Sequence, residues 1–308
     1  LMSFDLKPGD EVICPSFTYV ATAEVISLLG LTPVMTDVDP DTFNITADII
    51  KPLITKKTKV IVPVHLFGQS CDMEPIMKLA NEFGLYVIED NAQAIGSQYT
   101  FIEGKVKNTG TIGHIGTTSF FPSKNLGCYG DGGAIFTNND EIASKIKMIA
   151  NHGQEKKYHH KVIGCNSRLD SIQAAILNIK LNYLDYYSKI RNSMAEVYDK
   201  NLSEINGIQV PFRAPYSTHV FHQYTIKLKK TKRDQLKNYL SNLGIPSMIY
   251  YPLPLYKQEA FKKYVNKDFL ILNVNNLCDS VLSLPIHTEI ETSNQNFIIE
   301  SIINFFKK

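Results

Sequence analysis

Short apolar runs alternate along the chain with longer stretches of mixed polarity. DEVICPS (10–16), TPVMTDVD (32–39), TKVIVPVHLFG (58–68) and LYVIEDNAQ (85–93) are β-branched and apolar on both faces, and too short for helices. Between them, YVATAEVISLLGL (19–31) and MEPIMKLANEFG (73–84) carry apolar residues at helical spacing and close on glycine, while NITADIIKPLI (44–54) opens with a capping pattern. Strand–helix–strand repeats with doubly apolar strands predict a mainly parallel sheet covered by helices on both faces. Ligands of such sheets collect at the carboxyl ends of the strands, which directs attention to His65, to Asp90 and to the residues just after them.

After Gly133 the pattern predicts a strand (AIFTNND), a helix (EIASKIKMIANHG) and one long helical stretch over 168–202. It breaks at PFRAPYSTHVFHQ, and strand YTIKLKK, helix RDQLKNYLSNLG, IPSMIYYPLPLY and the terminal NQNFIIESIINFF make a smaller α+β unit. A boundary near residue 200 divides the chain into 1–200 and 201–308.

Composition narrows the class. The 308 residues are 44% hydrophobic and 20% charged, with a formal charge of +2, which offers no field for nucleic acid or an acidic membrane surface. The run Lys229-Lys230-Thr231-Lys232-Arg233 fits a solvated turn before a helix. Cys14, Cys71, Cys128, Cys165 and Cys278 include no CxxC pair, so neither a disulfide framework nor a zinc site is expected, and a reducing cytoplasm fits. No run is long enough to span a bilayer, and no secretory signal opens the chain. Leu1-Met2 leads almost at once into what reads as the interior of a domain, and the natural protein is expected to begin upstream.

Several residues are candidates for chemistry. Glu89 and Asp90 are adjacent at the end of a very apolar strand, so alternation sends them to opposite faces. Asp90 reads equally as a helix N-cap or as a carboxylate for a cationic ligand nitrogen. Lys124 lies in TSFFPSKNLGCYGDGG (118–133), among Gly, Pro and aromatics. A rigid loop suits a nucleophilic amine, although a surface lysine in a turn is the commoner outcome. Ser119 is a phosphate-binding hydroxyl or, more simply, a strand residue. GDGG (130–133) lacks the spacing of a phosphate loop and reads as a tight turn. His152, His159 and His160 have no carboxylate or thiol at ligand spacing and mark a polar loop.

Three segments together, EDNAQAIGS, TSFFPSKNLGCYGDGGAIFTN and KYHHKVIGCNSRLDSIQAAIL, resemble the DegT/DnrJ/EryC1/StrS nucleotide-sugar aminotransferases, fold-type-I enzymes dependent on pyridoxal 5′-phosphate (PLP). The likeness extends from PGDEVICPSFTYVATA to LPIHTEI, essentially the whole chain. It implies that Lys124 forms a Schiff base with PLP and shuttles a proton, and that Asp90 pairs with the pyridinium nitrogen. By the same resemblance Gln93 sits near the ring hydroxyl, Tyr19 stacks on the ring and Ser119 holds the phosphate. Asn166 reaches the phosphate from a neighbouring subunit of a homodimer, and Arg168, Tyr250 and Tyr251 lie near the substrate. Tyr250 stands where related enzymes often carry histidine. A Gly-Thr phosphate anchor of the family is expected upstream of this chain.

The implied reaction moves an amino group, glutamate being the expected donor, onto a nucleotide-linked keto-sugar in glycan biosynthesis, most closely a UDP-sugar at C3, with C4 the near alternative. Two other outcomes are a PLP-dependent sugar dehydratase, against which Lys124 argues because such relatives carry histidine there, and an inactive or regulatory remnant.

Overall fold

The computed structural model describes residues 1–265 and 271–307. Its centre is a six-stranded sheet built from β1 (Glu11–Pro15), β2 (Thr32–Thr36), β3 (Thr58–Ile61), β4 (Tyr86–Asp90), β7 (Ile115–Ser119) and β8 (Gly133–Phe136), in the order β2-β1-β3-β4-β7-β8. All neighbours are parallel except β7 and β8. A small hairpin, β5 (Gln98–Thr100) and β6 (Val106–Asn108), lies between β4 and β7 in sequence. The chain steps one way from β1 to β2 and the other way to β3, so the carboxyl ends of β1, β3, β4 and β7 surround the switch point where open sheets bind ligands.

Alternation along the strands feeds two cores. On one face Ile13, Ile61 and Val87 pack beneath α3 (Met73–Phe83) and α8 (Asn273–Ser280). On the other, Val12, Cys14, Val60, Ile88 and Ile115 pack beneath α1 (Ala21–Leu28). Gly84 takes the left-handed conformation that ends α3, as its sequence position predicts. The helix expected over 44–54 is only α2 (Ala47–Ile50) and a 3₁₀ turn; Thr46 caps it through Ile49 N–H, and Pro52 prevents its extension.

Beyond the sheet come α4 (Asp140–Ala150), whose N-cap Asn139 accepts Ile142 N–H, and a hairpin of β9 (Gln154–Lys156) and β10 (His159–His160). The single helix expected over 168–202 is two, α5 (Ser171–Leu181) and α6 (Leu184–Leu202). They break at Asn182–Tyr183, where Asn182 turns its amide back onto Asn178 O and so competes for the helix carbonyls. Met194, Ala195, Tyr198 and Leu202 of α6 join the core of the C-terminal part, beside the antiparallel pair β11 (Tyr224–Lys227) and β12 (Val281–Leu284), with α7 (Lys230–Asn242) and α9 (Thr292–Lys307). Residues 230–233 are already the first turn of α7; Lys230, Thr231 and Lys232 are exposed as expected, but Arg233 is buried, with its guanidinium on Cys278 O. Among the described residues no helix is long and apolar enough to cross a membrane.

Candidate active site

Alternation at the end of β4 separates the two carboxylates as the sequence predicts. Glu89 points into the core, fully buried, where His65 Nε2 lies 2.9 Å from Oε2 and the backbone N–H groups of Gly110, Ile112 and Gly113 donate to its two oxygens. Burial opposes ionisation, but the His65 hydrogen bond and charge and the Gly113 and Gly110 N–H groups hold the carboxyl below its ordinary value. His65 therefore does not face the ligand side: its ring is enclosed, with Cys71 N–H on Nδ1, and it serves as Glu89's partner. The strand-end rule located the neighbourhood and mistook the face.

Asp90 points the other way. Thr22 Oγ1, in the first turn of α1, donates to Oδ2 at 2.7 Å, and Ala92 N–H donates to Oδ1 at 3.2 Å. No helix follows, because residues 92–96 form turns, so the expected N-cap is absent and the Ala92 bond closes a turn at the strand end. A carboxylate has about four acceptor positions, which leaves room for a further donor. The backbone of residue 90 is pinned as well, its N–H to Pro63 O (2.8 Å) and its carbonyl to His65 N–H (3.0 Å). Asp90, Thr22, Thr117, Thr118 and Ser119 border a largely apolar cavity of about 560 Å³.

Lys124 is half-buried in the turn after Phe121, and its Nζ makes no hydrogen bond or ion pair with any described residue. Burial lowers its proton affinity; the charge of Asp90 acts in the opposite sense, which places the two groups within electrostatic reach of each other. Lys124 itself does not line the large cavity. Gly127 allows the turn, since a Cβ there would sit 2.5 Å from Pro122 O.

Gln93 is buried and holds two elements at once: Oε1 accepts Phe67 N–H at 2.8 Å, and Nε2 donates to Tyr251 Oη at 3.2 Å. Burial pushes the Tyr251 hydroxyl to very high pKa, so it stays protonated. Tyr250 packs edge-on against Tyr251 with centroids 5.9 Å apart. Tyr19 is 61% exposed, while its neighbour Phe17 fills the core. Ser119 Oγ accepts Phe121 N–H. Asn166 and Arg168 are exposed and bonded to each other, Arg168 Nε to Asn166 Oδ1 at 3.0 Å. Among the described residues no group of three or more His, Cys, Asp or Glu is placed to hold a metal, and His152, His159 and His160 lie exposed in and before the β9–β10 hairpin.

Thr22, Asn125 and His222 were not singled out by sequence reasoning. Thr22 meets Asp90 across 68 residues and Asn125 meets His222 across 97, and local spacing carries no trace of such contacts.

An unpaired, desolvated amine in reach of an oriented carboxylate is a donor set that suits a carbonyl cofactor with a basic ring nitrogen. The sequence profile of the DegT/DnrJ/EryC1/StrS aminotransferase family matches residues 1–303. The chain belongs to this family. It is 45% identical to the pleiotropic regulatory protein of Geobacillus stearothermophilus over 100% of this chain and 81% of that one. It is 43% identical to the UDP-2-acetamido-2-deoxy-3-oxo-D-glucuronate aminotransferase of Pseudomonas aeruginosa over 98% and 81%. The crystal structure of NtdA from Bacillus subtilis with bound cofactor PMP, the aminated form of PLP, superposes with a TM-score of 0.90 at 32% identity, covering 100% of this chain and 70% of that one. As a family member this chain is a PLP-dependent sugar aminotransferase, which answers the expectation of fold, enzyme class and cofactor.

Proposed function

We propose that this aminotransferase moves the amino group of glutamate onto the C3 ketone of a UDP-linked sugar, in a route to surface polysaccharide, with C4 as the alternative position. The observation that carries this reading is the 43% identity, over nearly the whole chain, to an enzyme named for a UDP-linked 3-oxo sugar. The site's own features support the cofactor part of this reading, through Asp90 held by Thr22 and Ala92 and the unpaired Lys124.

When bound, PLP supplies an aldehyde that takes up the amino group and a ring that accepts the electron pair of the breaking C–H bond. Asp90, held by Thr22 and Ala92, is the acceptor for the ring N–H. Lys124 is the amine that anchors the cofactor, and its Nζ, lowered in proton affinity by burial, would carry the proton between the substrate carbon and the cofactor's aldehyde carbon. Gln93 and Tyr251 fix one wall beside the ring, and Tyr19 supplies an aromatic face. Ser119 contributes a hydroxyl to the phosphate. Arg168, Tyr250 and Tyr251 meet the nucleotide sugar.

The chain works as a homodimer in the cytoplasm, with Asn166 completing its neighbour's phosphate site. The exposed apolar side chains Tyr129, Ile172, Ile179, Leu181 and Tyr186 support an assembly that covers them. We place the division between a PLP-binding part and a smaller C-terminal part near residue 200, inside α6, whose Met194, Ala195, Tyr198 and Leu202 already pack with the C-terminal core.

The test is isotopic. The PLP-loaded chain is incubated with ¹⁵N-glutamate and a UDP-linked 3-keto sugar, and the product is read by mass spectrometry. Label in an amino sugar is expected, together with a visible absorption band that Lys124→Ala abolishes. A product without ¹⁵N overturns transamination, and faster turnover of a 4-keto or dTDP-linked substrate overturns the assignment of position or nucleotide.

A further inference from the structure

Asn125, the residue after Lys124, is buried and spends its amide entirely on the C-terminal part of the chain. Its Nδ2 donates to Val220 O at 3.0 Å, which turns Oδ1 toward His222 Nδ1 at 3.3 Å. With Nδ2 committed to a carbonyl, Oδ1 is the acceptor and the imidazole is the donor, in its Nδ1–H form. Burial, then the charge of Lys124, then that of Arg191 hold His222 well below its ordinary proton affinity, so the ring is neutral.

The segment that carries His222 is itself anchored. Arg191 gives one nitrogen to both Phe221 O and Ile286 O, each at 2.9 Å, and Val220 N–H donates to Gly68 O at 2.9 Å. Phe221 has φ 44° and Phe67 has φ 57°, a conformation that side-chain-bearing residues rarely hold. Gly68 is required where they meet, since a Cβ would lie 2.9 Å from Phe221 N. Strained backbone of this kind persists only where its surroundings over-determine it, and here it ends at the loop that bears the candidate amine.

We propose that Asn125 and His222 form a positioning pair for Lys124: the imidazole fixes the amide of residue 125, and through it the loop that presents the lysine Nζ. The inference rests on Lys124 being the PLP-binding amine. It adds that the placement of this amine is set by His222, 97 positions from Asn125, in a different part of the fold. Neither side chain touches the reacting atoms in this proposal. Misplacement by about 1 Å far from the chemistry costs rate on the order of 10²-fold, which is the size of effect such a pair controls.

The experiment is a double-mutant cycle with two readouts. His222→Phe keeps a ring and removes the donor; Asn125→Ala removes the acceptor; His222→Asn keeps an N–H donor. In the PLP-loaded chain, His222→Phe and Asn125→Ala are each expected to lower kcat by roughly 10- to 100-fold with both KM values within about threefold, and His222→Asn is expected to recover most of the loss. The double variant is expected to be no worse than the poorer single one, because the two side chains act as one unit.

The second readout needs no cofactor. The rate at which an amine-reactive probe labels Lys124 in the cofactor-free chain, followed against pH by peptide mass spectrometry, is expected to change alike in both single variants and no further in the double. Effects that multiply, or a His222→Phe variant that matches wild type in both assays, overturn the pair. Should the wild-type chain form no Lys124-dependent band with PLP, the cofactor reading fails, while the labelling cycle still decides whether the pair positions the amine.

Discussion

Thr22 Oγ1 stands 2.7 Å from Asp90 Oδ2, so the first turn of α1 orients the carboxylate at the end of β4. A hydrogen bond to an ionised group contributes about 1.5–3 kcal/mol, and this one also selects the rotamer in which Asp90 faces the cavity. Thr22→Val keeps the shape and removes the donor. Retention of PLP, followed by equilibrium dialysis, is expected to weaken by about tenfold or more. Thr22→Ser, which keeps the hydroxyl, is expected to stay close to wild type. Equal retention in Thr22→Val and wild type would show that Asp90 needs no such guide.

The Lys124 amine responds to two opposed influences, burial lowering its proton affinity and Asp90 raising it. In the cofactor-free chain its labelling rate is therefore expected to rise with pH to a midpoint below the ordinary lysine value of 10.5. Asp90→Asn removes the opposing charge, so the midpoint is expected to move further down. An unchanged midpoint would mean that Asp90 lies too far from the lysine to act on it, and the two would then not share one ring.

Glu89 makes an acid-sensitive contribution to the fold. Its folded-state pKa lies below its ordinary value of 4.5, so the unfolded chain binds its proton first as pH falls. The stabilisation is fully present above that ordinary value and is lost as pH drops through the depressed folded one. Glu89→Gln puts an NH2 donor where one carboxylate oxygen stood, so either His65 and Gly110 or Ile112 and Gly113 lose their acceptor, at a cost of about 3–5 kcal/mol. Chemical denaturation at neutral pH measures that cost. A denaturation series in acid should then show a shallower loss of stability in the variant than in wild type.

These two neighbours show how far the sequence could be read. That Glu89 and Asp90 face opposite ways follows from the period of a strand, and the apolar run before them fixed the strand itself. What each carboxylate meets did not follow. His65 looked like a ligand residue because it ends a strand run, and only its contact with Glu89, 24 residues on, shows that its ring turns into the core. The break between α5 and α6 was equally hidden, because apolar spacing continues through Asn182 and the interruption comes from one side-chain amide. Lys124, Asp90 and Gln93 were reachable through resemblance; Thr22, Asn125 and His222 act only through contacts between distant segments.

The loop that feeds Glu89 depends on one missing methyl group. A Cβ on Gly116 of β7 would lie 1.9 Å from Gly110 O and 2.7 Å from Gly110 Cα, and backbone atoms cannot swing aside as a side-chain tip can. Gly110 N–H is one of the donors to Glu89, 2.8 Å from Oε2, so displacing it also disturbs the donors at Ile112 and Gly113. Gly116→Ala is therefore expected to destabilise the chain by about 3 kcal/mol or more, combining overpacking with a partly unsatisfied buried carboxylate. Gly84→Ala is the control, because its cost comes from φ 64° alone, with nothing within 4 Å of the added carbon. That change should cost about 1–2 kcal/mol. Denaturant midpoints separate the two, and PLP retention sharpens the contrast: Gly84→Ala should hold the cofactor normally, whereas Gly116→Ala should lose it at temperatures where the chain is still folded, because the end of β4 that carries Asp90 is no longer braced from behind. If the two variants were equally stable and equally able to hold PLP, the packing of residues 110–113 against β7 would have no bearing on the site.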